Sequence, residues 1–329
     1  MLKTITHPGT IIAKFPIVTT VPAQLRQSIF HEPWWLDITS GGSYREAVVS
    51  SGGHIVGRLP YRIWKTKSGF TVLDMPRLVH ALGPAIAPQF AGKNFPRSLK
   101  EFSIISDLIA QLPKASHISF RLHSGITNTL AFEAAGFTSS PNFTVEIEPA
   151  PIQILWSQMR DKTRNVVRRA QECLKITTVT DVDLFLDFYE LNLKQKGHRN
   201  EYLRPVCSCL LTETLQRGAG RIIAASDTSG VMQCAVFTVW DSRAEYYFMA
   251  TRSRKAMNGA NCLLIWEALQ HASSQNLIFD MDGIHVVRGS VPNLLLLTGF
   301  GGCIKPRYQV QRSCNSLLVA RCLRELWRE

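Results

Sequence analysis

Two aspartates stand close together where an apolar segment ends, in the stretch Phe279-Asp-Met-Asp-Gly283. The apolar residues before them predict a buried strand, and alternation along a strand sends Asp280 and Asp282 to one face. Carboxylates at a strand end are well placed to accept a proton or to orient a cationic group. The alternative is a strand-ending turn, in which both side chains only accept backbone hydrogen bonds. Two acids on one face repel each other unless a ligand or cation is near, which favours the first interpretation.

A cationic stripe is predicted on a helix further upstream. Arg160, Arg164 and Arg168 recur every fourth residue in MRDKTRNVVRRAQE, with Lys162 and Arg169 beside them. Like charges at this spacing destabilise an isolated helix by about 0.2–0.5 kcal/mol per pair. One interpretation is a solvated helix face, and the other is contact of Arg164 and Arg168 with a phosphorylated ligand.

The overall charge points to an anionic partner. Thirty-seven Lys and Arg against twenty-five Asp and Glu give the 329-residue chain a net charge of +12. A nucleotide, a phosphorylated acceptor, tRNA and a membrane surface all suit this charge, and we expect no DNA partner. The eight cysteines show no paired Cys-x-x-Cys spacing, so we expect no metal site.

The distribution of apolar residues predicts a cytoplasmic protein. The first residues lack the apolar core and small-residue cleavage site of a signal peptide. No run of eighteen apolar residues occurs along the sequence, so we expect no integral membrane segment.

The two halves of the sequence repeat one order of predicted elements. Residues 47–75 and 222–250 each predict three strands joined by polar or glycine-containing turns. The elements that follow each meander are a helix (96–112 or 261–274), a strand (117–122 or 277–282), a helical stretch ending in Gly-Phe, and a closing strand (144–148 or 307–312). This repetition predicts a duplicated α/β unit.

The domain boundary is predicted where two prolines interrupt the strand pattern, within residues 148–152. We therefore expect an N-terminal domain over residues 1–150 and a C-terminal domain over residues 151–329. Strands followed by helices, with an antiparallel meander in front, predict mixed sheets flanked by helices in an α/β fold.

Three groups of segments carry a family resemblance. They are WWLDITSGGSYREAVV with LPYRIW and MPRLVHALGP, then LWSQMRDKTRNVVRRAQE, and finally FDMDG, LLLLTGFGG and PRYQV. Together they resemble the Fem-like (FemAB-type) branch of the GNAT superfamily, over nearly the whole chain. The resemblance implies two tandem GNAT-like domains and acyl or aminoacyl transfer. The long charged helical hairpin that the peptidoglycan-extending members use to contact tRNA has no counterpart here, which favours acyl-CoA as the donor.

The resemblance also implies a donor site in the C-terminal half. GNAT domains hold the pyrophosphate of coenzyme A on N–H groups of a loop that opens a helix, and Lys255-Ala-Met-Asn-Gly-Ala260 lies at the matching place. Asn258 stands where the family pattern has its first glycine, and the alternative is an ordinary helix start capped by Asn258. Backbone N–H groups near Met249 to Thr251 would polarise the acyl carbonyl. The donor-binding residues implied are Met249, Ala250, Thr251, Arg252, Arg254, Lys255, Asn258, Gly259, Ala260 and Asn261.

The same resemblance assigns roles in catalysis and acceptor binding. The family segment Phe-Asp-Phe-Glu-Gly-Ser matches Phe279 to Ile284, with Ile284 in place of the serine. One of the carboxylates of Asp280 and Asp282 would accept the proton of the attacking ammonium, because only a neutral amine is nucleophilic, or both would orient it. Tyr308 would protonate the departing thiolate. The N-terminal half would shape the acceptor side, and the implied acceptor contacts are Arg164, Arg168, Trp35 and His285.

These assignments predict an N-acyltransferase that moves an acyl group from acyl-CoA to an amine, on an amino sugar or a precursor of the cell-envelope polysaccharide. Two alternatives remain open. One is a Fem-type aminoacyltransferase that uses aminoacyl-tRNA and acts on a peptidoglycan precursor. The other is a catalytically silent GNAT-like binding module.

Overall fold

A computed structural model describes residues 21–88, 97–284 and 290–314. The described strands form a single mixed sheet of twelve strands, flanked by helices. The strands are β1 (Arg45–Ser51), β2 (His54–Lys65), β3 (Thr71–Asp74), β4 (Ala85–Ile86), β5 (His117–Arg121), β6 (Thr138–Ile147), β7 (Lys175–Val179), β8 (Gly220–Ser226), β9 (Met232–Trp240), β10 (Ala244–Arg252), β11 (Ile278–Gly283) and β12 (Cys303–Ser313). The helices are α1 (Pro33–Ser40), α2 (Arg97–Ala110), α3 (Leu130–Ala134), α4 (Ile152–Gln158), α5 (Asp161–Cys173), α6 (Val182–Gln195), α7 (Arg204–Gln216), α8 (Ala260–Ser274) and α9 (Leu294–Leu297).

Both predicted meanders are present. Strands β1, β2 and β3 pair antiparallel in sequence order, and β8, β9 and β10 do the same. Each meander is followed by a helix and then by a strand that pairs in parallel, β5 on β3 and β11 on β10. A parallel pair needs such a crossover connection, which α2 and α8 supply. The α/β class and the tandem GNAT-like organisation are thereby confirmed.

The closing strands are exchanged between the two halves. The sequence predicts that β6 closes the first half and β12 the second, but the strand order is β5-β12-β6-β11. Strand β12 pairs with β5 of the first half, and β6 pairs with β11 of the second. The two exchanged strands also pair with each other, from Cys303↔Glu146 to Gln311↔Thr138. The two predicted sheets are therefore continuous, and the boundary at residues 150/151 stays a prediction.

Apolar side chains pack on both faces of the sheet. In the C-terminal half, α5 and α8 cover one face, and α6 and α7, joined by α1 from the N-terminal half, cover the other. In the N-terminal half, α2 and α3 pack over β2, β5 and β12. Among the helices of the described ranges, none has the length and apolar character needed to cross a membrane.

Candidate active site

A polar pocket opens where strands of both halves meet at the middle of the sheet. It combines the ends of β5 and β11, the central parts of β6 and β12 and the start of β10 with two N-terminal loops. The side chains with polar groups that line it are Gln27, Ser28, His80, Arg121, His123, Ser124, Asn142, Thr144, Arg243, Tyr246, Asp280, Asp282 and Arg307. The exchange of β6 and β12 is what brings residues of both halves to one place.

Asp280 is a buried carboxylate whose oxygens are already occupied. It is 5% exposed. One oxygen lies 2.5 Å from the Thr144 hydroxyl and accepts from the Asp282 N–H at 3.0 Å. The other accepts from Arg307 Nη2 at 2.7 Å. These contacts match the turn interpretation for Asp280, so this residue positions Asp282 and does not stand free to accept a proton.

Asp282 lies beside Asp280 but in different surroundings. Its backbone has φ of 63°, and strand pairing with β6 is irregular between Asp280 and Gly283. Strict alternation therefore stops at Asp282. Its side chain stays 39% exposed, with Oδ1 3.5 Å from His80 Nδ1. Asp282 is the carboxylate that a substrate in the pocket can reach.

Two aromatic side chains surround this pair. The His80 ring stacks on Phe248 with centroids 4.6 Å apart. Burial raises the pKa of the Tyr202 hydroxyl, and the negative charges of Glu201 and Asp282 raise it further. Tyr202 therefore stays protonated at neutral pH and is available as a hydrogen-bond donor.

A buried ion-pair network supports the floor of the pocket. Arg307 Nη2 lies 2.6 Å from Glu146 Oε1 and 2.7 Å from Asp280 Oδ2, and Arg243 reaches Glu146 at 3.2 Å. Burial alone would raise the pKa of Glu146, but its hydrogen bonds and charge contacts with Arg307 and Arg243 outweigh this and lower it. The network joins β6, β11 and β12, so it fixes the exchanged strands around the pocket.

The predicted donor loop opens α8 as expected. The Ala260 N–H donates to the Met257 carbonyl at 3.3 Å, and among the described side chains none caps the first turn of α8. The N–H groups of Asn261 and Cys262 and the helix dipole therefore remain for an anion. Arg252, Arg254 and Lys255 are exposed just before it. Arg252 stabilises the loop by donating to the Ala256 carbonyl at 3.0 Å. The charge and the uncapped helix start fit a diphosphate.

Gly259 allows two helices to pack closely, which differs from the phosphate contact that a glycine in the family pattern suggests. Its φ is 100°, and a Cβ there would lie 2.7 Å from Val166 Cγ1 and 2.9 Å from the Val166 carbonyl oxygen. Gly259 thus allows α5 to approach the start of α8. Asn258 is exposed, and neither this residue nor any other side chain caps the helix.

Strands β10 and β11 separate next to this loop. They pair only from Ala244↔Ile278 to Tyr246↔Asp280, and beyond Tyr246 no described strand pairs with that edge of β10. Backbone groups of residues 247–252 on that edge therefore have no strand partner among the described residues. This is the segment in which the sequence predicts that N–H groups polarise a carbonyl.

Several predicted donor-binding side chains are turned inward. Met249 is buried in the apolar core, and the Thr251 hydroxyl accepts from Asn192 at 3.1 Å. The amide oxygen of Asn261 accepts from the Tyr247 hydroxyl at 2.8 Å. The exposed members are Ala250, Arg252, Arg254, Lys255 and Asn258. For the buried members only the backbone can face a ligand.

Two further predicted residues lie in the core. Trp35 is fully buried, donates to the Leu78 carbonyl at 3.0 Å and packs on Phe248, so this placement gives no support to its predicted contact with substrate. Tyr308 packs on the apolar core of the N-terminal half, on the opposite face of β12 from Arg307. Because it does not line the pocket, this placement gives no support to Tyr308 as the acid.

The predicted cationic stripe is largely occupied by local contacts. Arg160 precedes α5, and Arg164 donates to the carbonyls of Ser157 and Met159 at 2.9 and 3.0 Å, which ends α4. Arg168 lies over the Trp156 ring at 5.3 Å. Neither Arg164 nor Arg168 lines the pocket. His285, the remaining predicted acceptor contact, lies outside the described residues.

Sequence reasoning missed the pocket's cations and His80. Arg307 follows a proline in an ordinary strand, and Arg121 and Arg243 stand alone at strand ends. The one usable signal was the segment MPRLVHALGP, which contains His80 and is one of the segments that carry the family resemblance.

Comparison with known proteins agrees with this geometry. Residues 157–285 match the acetyltransferase (GNAT) domain family. The crystal structure of FemX is similar with a TM-score of 0.63 at 11% identity, covering 87% of this chain and 92% of FemX. The C-terminal domain of a putative lysylphosphatidylglycerol synthetase from Agrobacterium fabrum is similar with a TM-score of 0.59 at 13% identity, covering 92% of each chain. No curated protein matches the sequence.

The match to the GNAT domain family includes the strands β10 and β11, where their pairing stops, and the uncapped start of α8. Over most of both chains, the paired units have a fold similar to that of FemX.

Proposed function

We propose that this acyltransferase moves an acyl group from acyl-CoA to an amine that binds in the central pocket. The observation that carries the proposal is the position of Asp282, a reachable carboxylate beside the opening between β10 and β11. An amine must lose a proton to attack, and the pocket offers one accessible carboxylate for that proton.

The donor is proposed to lie along the opening, with its diphosphate at the start of α8. Arg252, Arg254 and Lys255 provide positive charge there, and the first N–H groups of α8 provide donors. Bound acyl-CoA would supply the thioester carbon that the amine attacks. Backbone N–H groups of residues 249–251 would donate to the carbonyl oxygen as its charge increases.

The acceptor is proposed to be an amine of an amino sugar or of a cell-envelope precursor, modified in the cytoplasm. Asp282 orients the ammonium and accepts its proton, while His80 holds the carboxylate in place. Asp280, Thr144 and Arg307 keep the strand end rigid. The likeness to FemX and to a lysylphosphatidylglycerol synthetase domain supports envelope-related chemistry.

The test is thiol release from a panel of acyl-CoAs with amino sugars as acceptors. In Asp282→Asn, kcat should fall about 100-fold or more, the usual contribution of a general base. Asparagine tolerates the left-handed backbone of this position, so the variant should keep its thermal stability. Asp107→Asn, an exposed position on α2 that does not line the pocket, is the matched control and should keep full activity.

The same experiment separates the alternatives. Protection by acyl-CoA in a thermal-shift assay, together with thiol release, supports the proposal. Salt-sensitive tRNA binding without acyl-CoA protection would instead support an aminoacyl-tRNA donor. Acyl-CoA binding with no release for any acceptor would indicate a silent module.

A further inference from the structure

Arg121 is a pocket cation whose charge the protein itself leaves uncompensated. It ends β5 and lines the pocket, and its Nη1 donates to the His80 carbonyl at 3.1 Å. Within the described ranges, no carboxylate forms an ion pair with it. Arg121 is exposed, and its other guanidinium N–H groups have no hydrogen-bond partner among the described residues.

The other two pocket arginines differ in this respect. Arg307 contacts both Asp280 and Glu146 and is only 10% exposed. Arg243 shares Glu146 with it. Their charges are therefore balanced by two buried carboxylates, and neither is as free as Arg121 to recruit an anion.

Asp282 is a pocket side chain of opposite charge to Arg121, and among the described residues it also lacks a permanently charged partner. Its nearest cationic partner is His80 at 3.5 Å, a side chain that is charged only when protonated. The pocket thus presents one available cation and one available carboxylate. Both are connected through a single residue, because His80 contacts Asp282 with its ring and Arg121 with its carbonyl.

The residues that carry the two charges are both held by the loop that contains His80. The His80 ring lies against Phe248 and Phe30, with centroids 4.6 and 5.3 Å apart. Two residues further on, Leu82 donates to the Arg121 carbonyl at 2.8 Å and its own carbonyl accepts from His123 at 2.9 Å. A ligand that binds both charges must therefore reach from the end of β5 to the end of β11.

We propose that the acceptor amine carries an anionic oxygen group, a carboxylate or a phosphate, a short distance from its nitrogen. Its ammonium binds Asp282 and its anion binds Arg121. A planar guanidinium suits this task because it donates two parallel hydrogen bonds to a carboxylate or phosphate. This inference rests on the proposed function, and it adds that neutral amines are poor acceptors.

The preference for an anionic acceptor is tested with matched pairs of acceptors, and acetyl-CoA is the donor. One pair is glucosamine and glucosamine 6-phosphate, and the other is an amino acid and its amide. In each pair that fits the pocket, kcat/KM for the anionic member should exceed that of the neutral member by about tenfold or more. The phosphate pair and the carboxylate pair together show which anion is preferred.

The Arg121→Gln variant should remove this preference, because KM should rise for the anionic member much more than for the neutral member. Arg121→Lys keeps the positive charge but not the two parallel N–H donors of the guanidinium, so this variant should retain part of the preference for the anionic member. Arg217→Gln is the control, since Arg217 is a partly exposed arginine paired with Glu213 that does not line the pocket. It should behave like the unmodified protein.

Equal turnover of both members, or an equal loss for both in Arg121→Gln, would overturn the inference while leaving the transferase proposal intact. If no acceptor turns over, calorimetric binding of the same pairs decides the matter. Tighter binding of the anionic member that depends on Arg121 supports the inference, and equal affinities refute it. Absence of acyl-CoA binding would count against the proposed function alone.

Discussion

Replacing Gly259 by alanine should destabilise the protein more than the same change at another glycine of similar backbone geometry. The added Cβ would lie 2.7 Å from Val166 Cγ1 and 2.9 Å from the Val166 carbonyl oxygen, and φ at this position is 100°. A left-handed backbone costs an L-residue about 1–2 kcal/mol. Pushing α5 and α8 apart adds about 1–3 kcal/mol, as overpacking does. We expect the free energy of unfolding to fall by about 2–5 kcal/mol in total.

Gly230→Ala provides the matched control. Gly230 has φ of 79°, and a Cβ there would meet nothing within 4 Å. Only the backbone contribution of about 1–2 kcal/mol should appear. The difference between the two variants, measured by urea denaturation with a common m-value, isolates the close approach of α5. Equal losses would show that the helices do not meet at Gly259. Because α8 shifts only in the first variant, protection by acyl-CoA should weaken there and persist in Gly230→Ala.

Three further results are expected. Trp35→Ala should lower the free energy of unfolding by about 3–5 kcal/mol while KM stays unchanged in the fraction that folds, and a raised KM would restore Trp35 as a substrate contact. Arg307→Gln should lower stability by about 3–5 kcal/mol, because Asp280 and Glu146 lose their buried partner; a loss under 1 kcal/mol by thermal and urea denaturation would contradict this. Burial holds the pKa of His31 well below its ordinary value and lowers that of His123 to about 4. As pH drops, these histidines therefore bind protons in the unfolded chain before they do so in the folded protein. For His123, this should lower the free energy of unfolding by up to about 3 kcal/mol between about pH 6.5 and pH 4. His123→Gln should show a smaller decrease over that range in urea titrations, and an unchanged decrease would be inconsistent with a neutral buried imidazole.

The sequence was sufficient for the order of elements within the two repeated units, because that order is encoded locally, but β7, α6 and α7 were not predicted. Alternation and turn residues located the strands of both meanders, and the helix predicted at 261–274 is α8, Ala260–Ser274. Strand pairing is not encoded in this way. Strands β6 and β12 have similar patterns, so nothing local indicates that each one pairs with the other half.

Only part of the candidate site was predicted, because its geometry also depends on contacts between residues that are distant in the sequence. Asp280 and Asp282 both line the pocket, although the alternation from which the sequence prediction was made stops at Asp282. The difference between them depends on Arg307 and Thr144, which come from distant strands, and on a φ of 63° at Asp282. Trp35 shows a second limit of prediction from sequence. The sequence does not distinguish an aromatic residue that lines a cleft from one that fills the core, and Trp35 is buried in the core.

The exchanged closing strands have a consequence for biosynthesis. Strand β12 pairs with β5, and nearly two hundred residues separate Arg121 from its partner Gln309. The space between β5 and β6 therefore stays unfilled on the ribosome until the last strand leaves the exit tunnel. Pairings this distant in sequence form late and expose strand edges while they wait. A ribosome that stalls or stops before residue 303 would release a chain with an open sheet, prone to pair with the same gap in another copy.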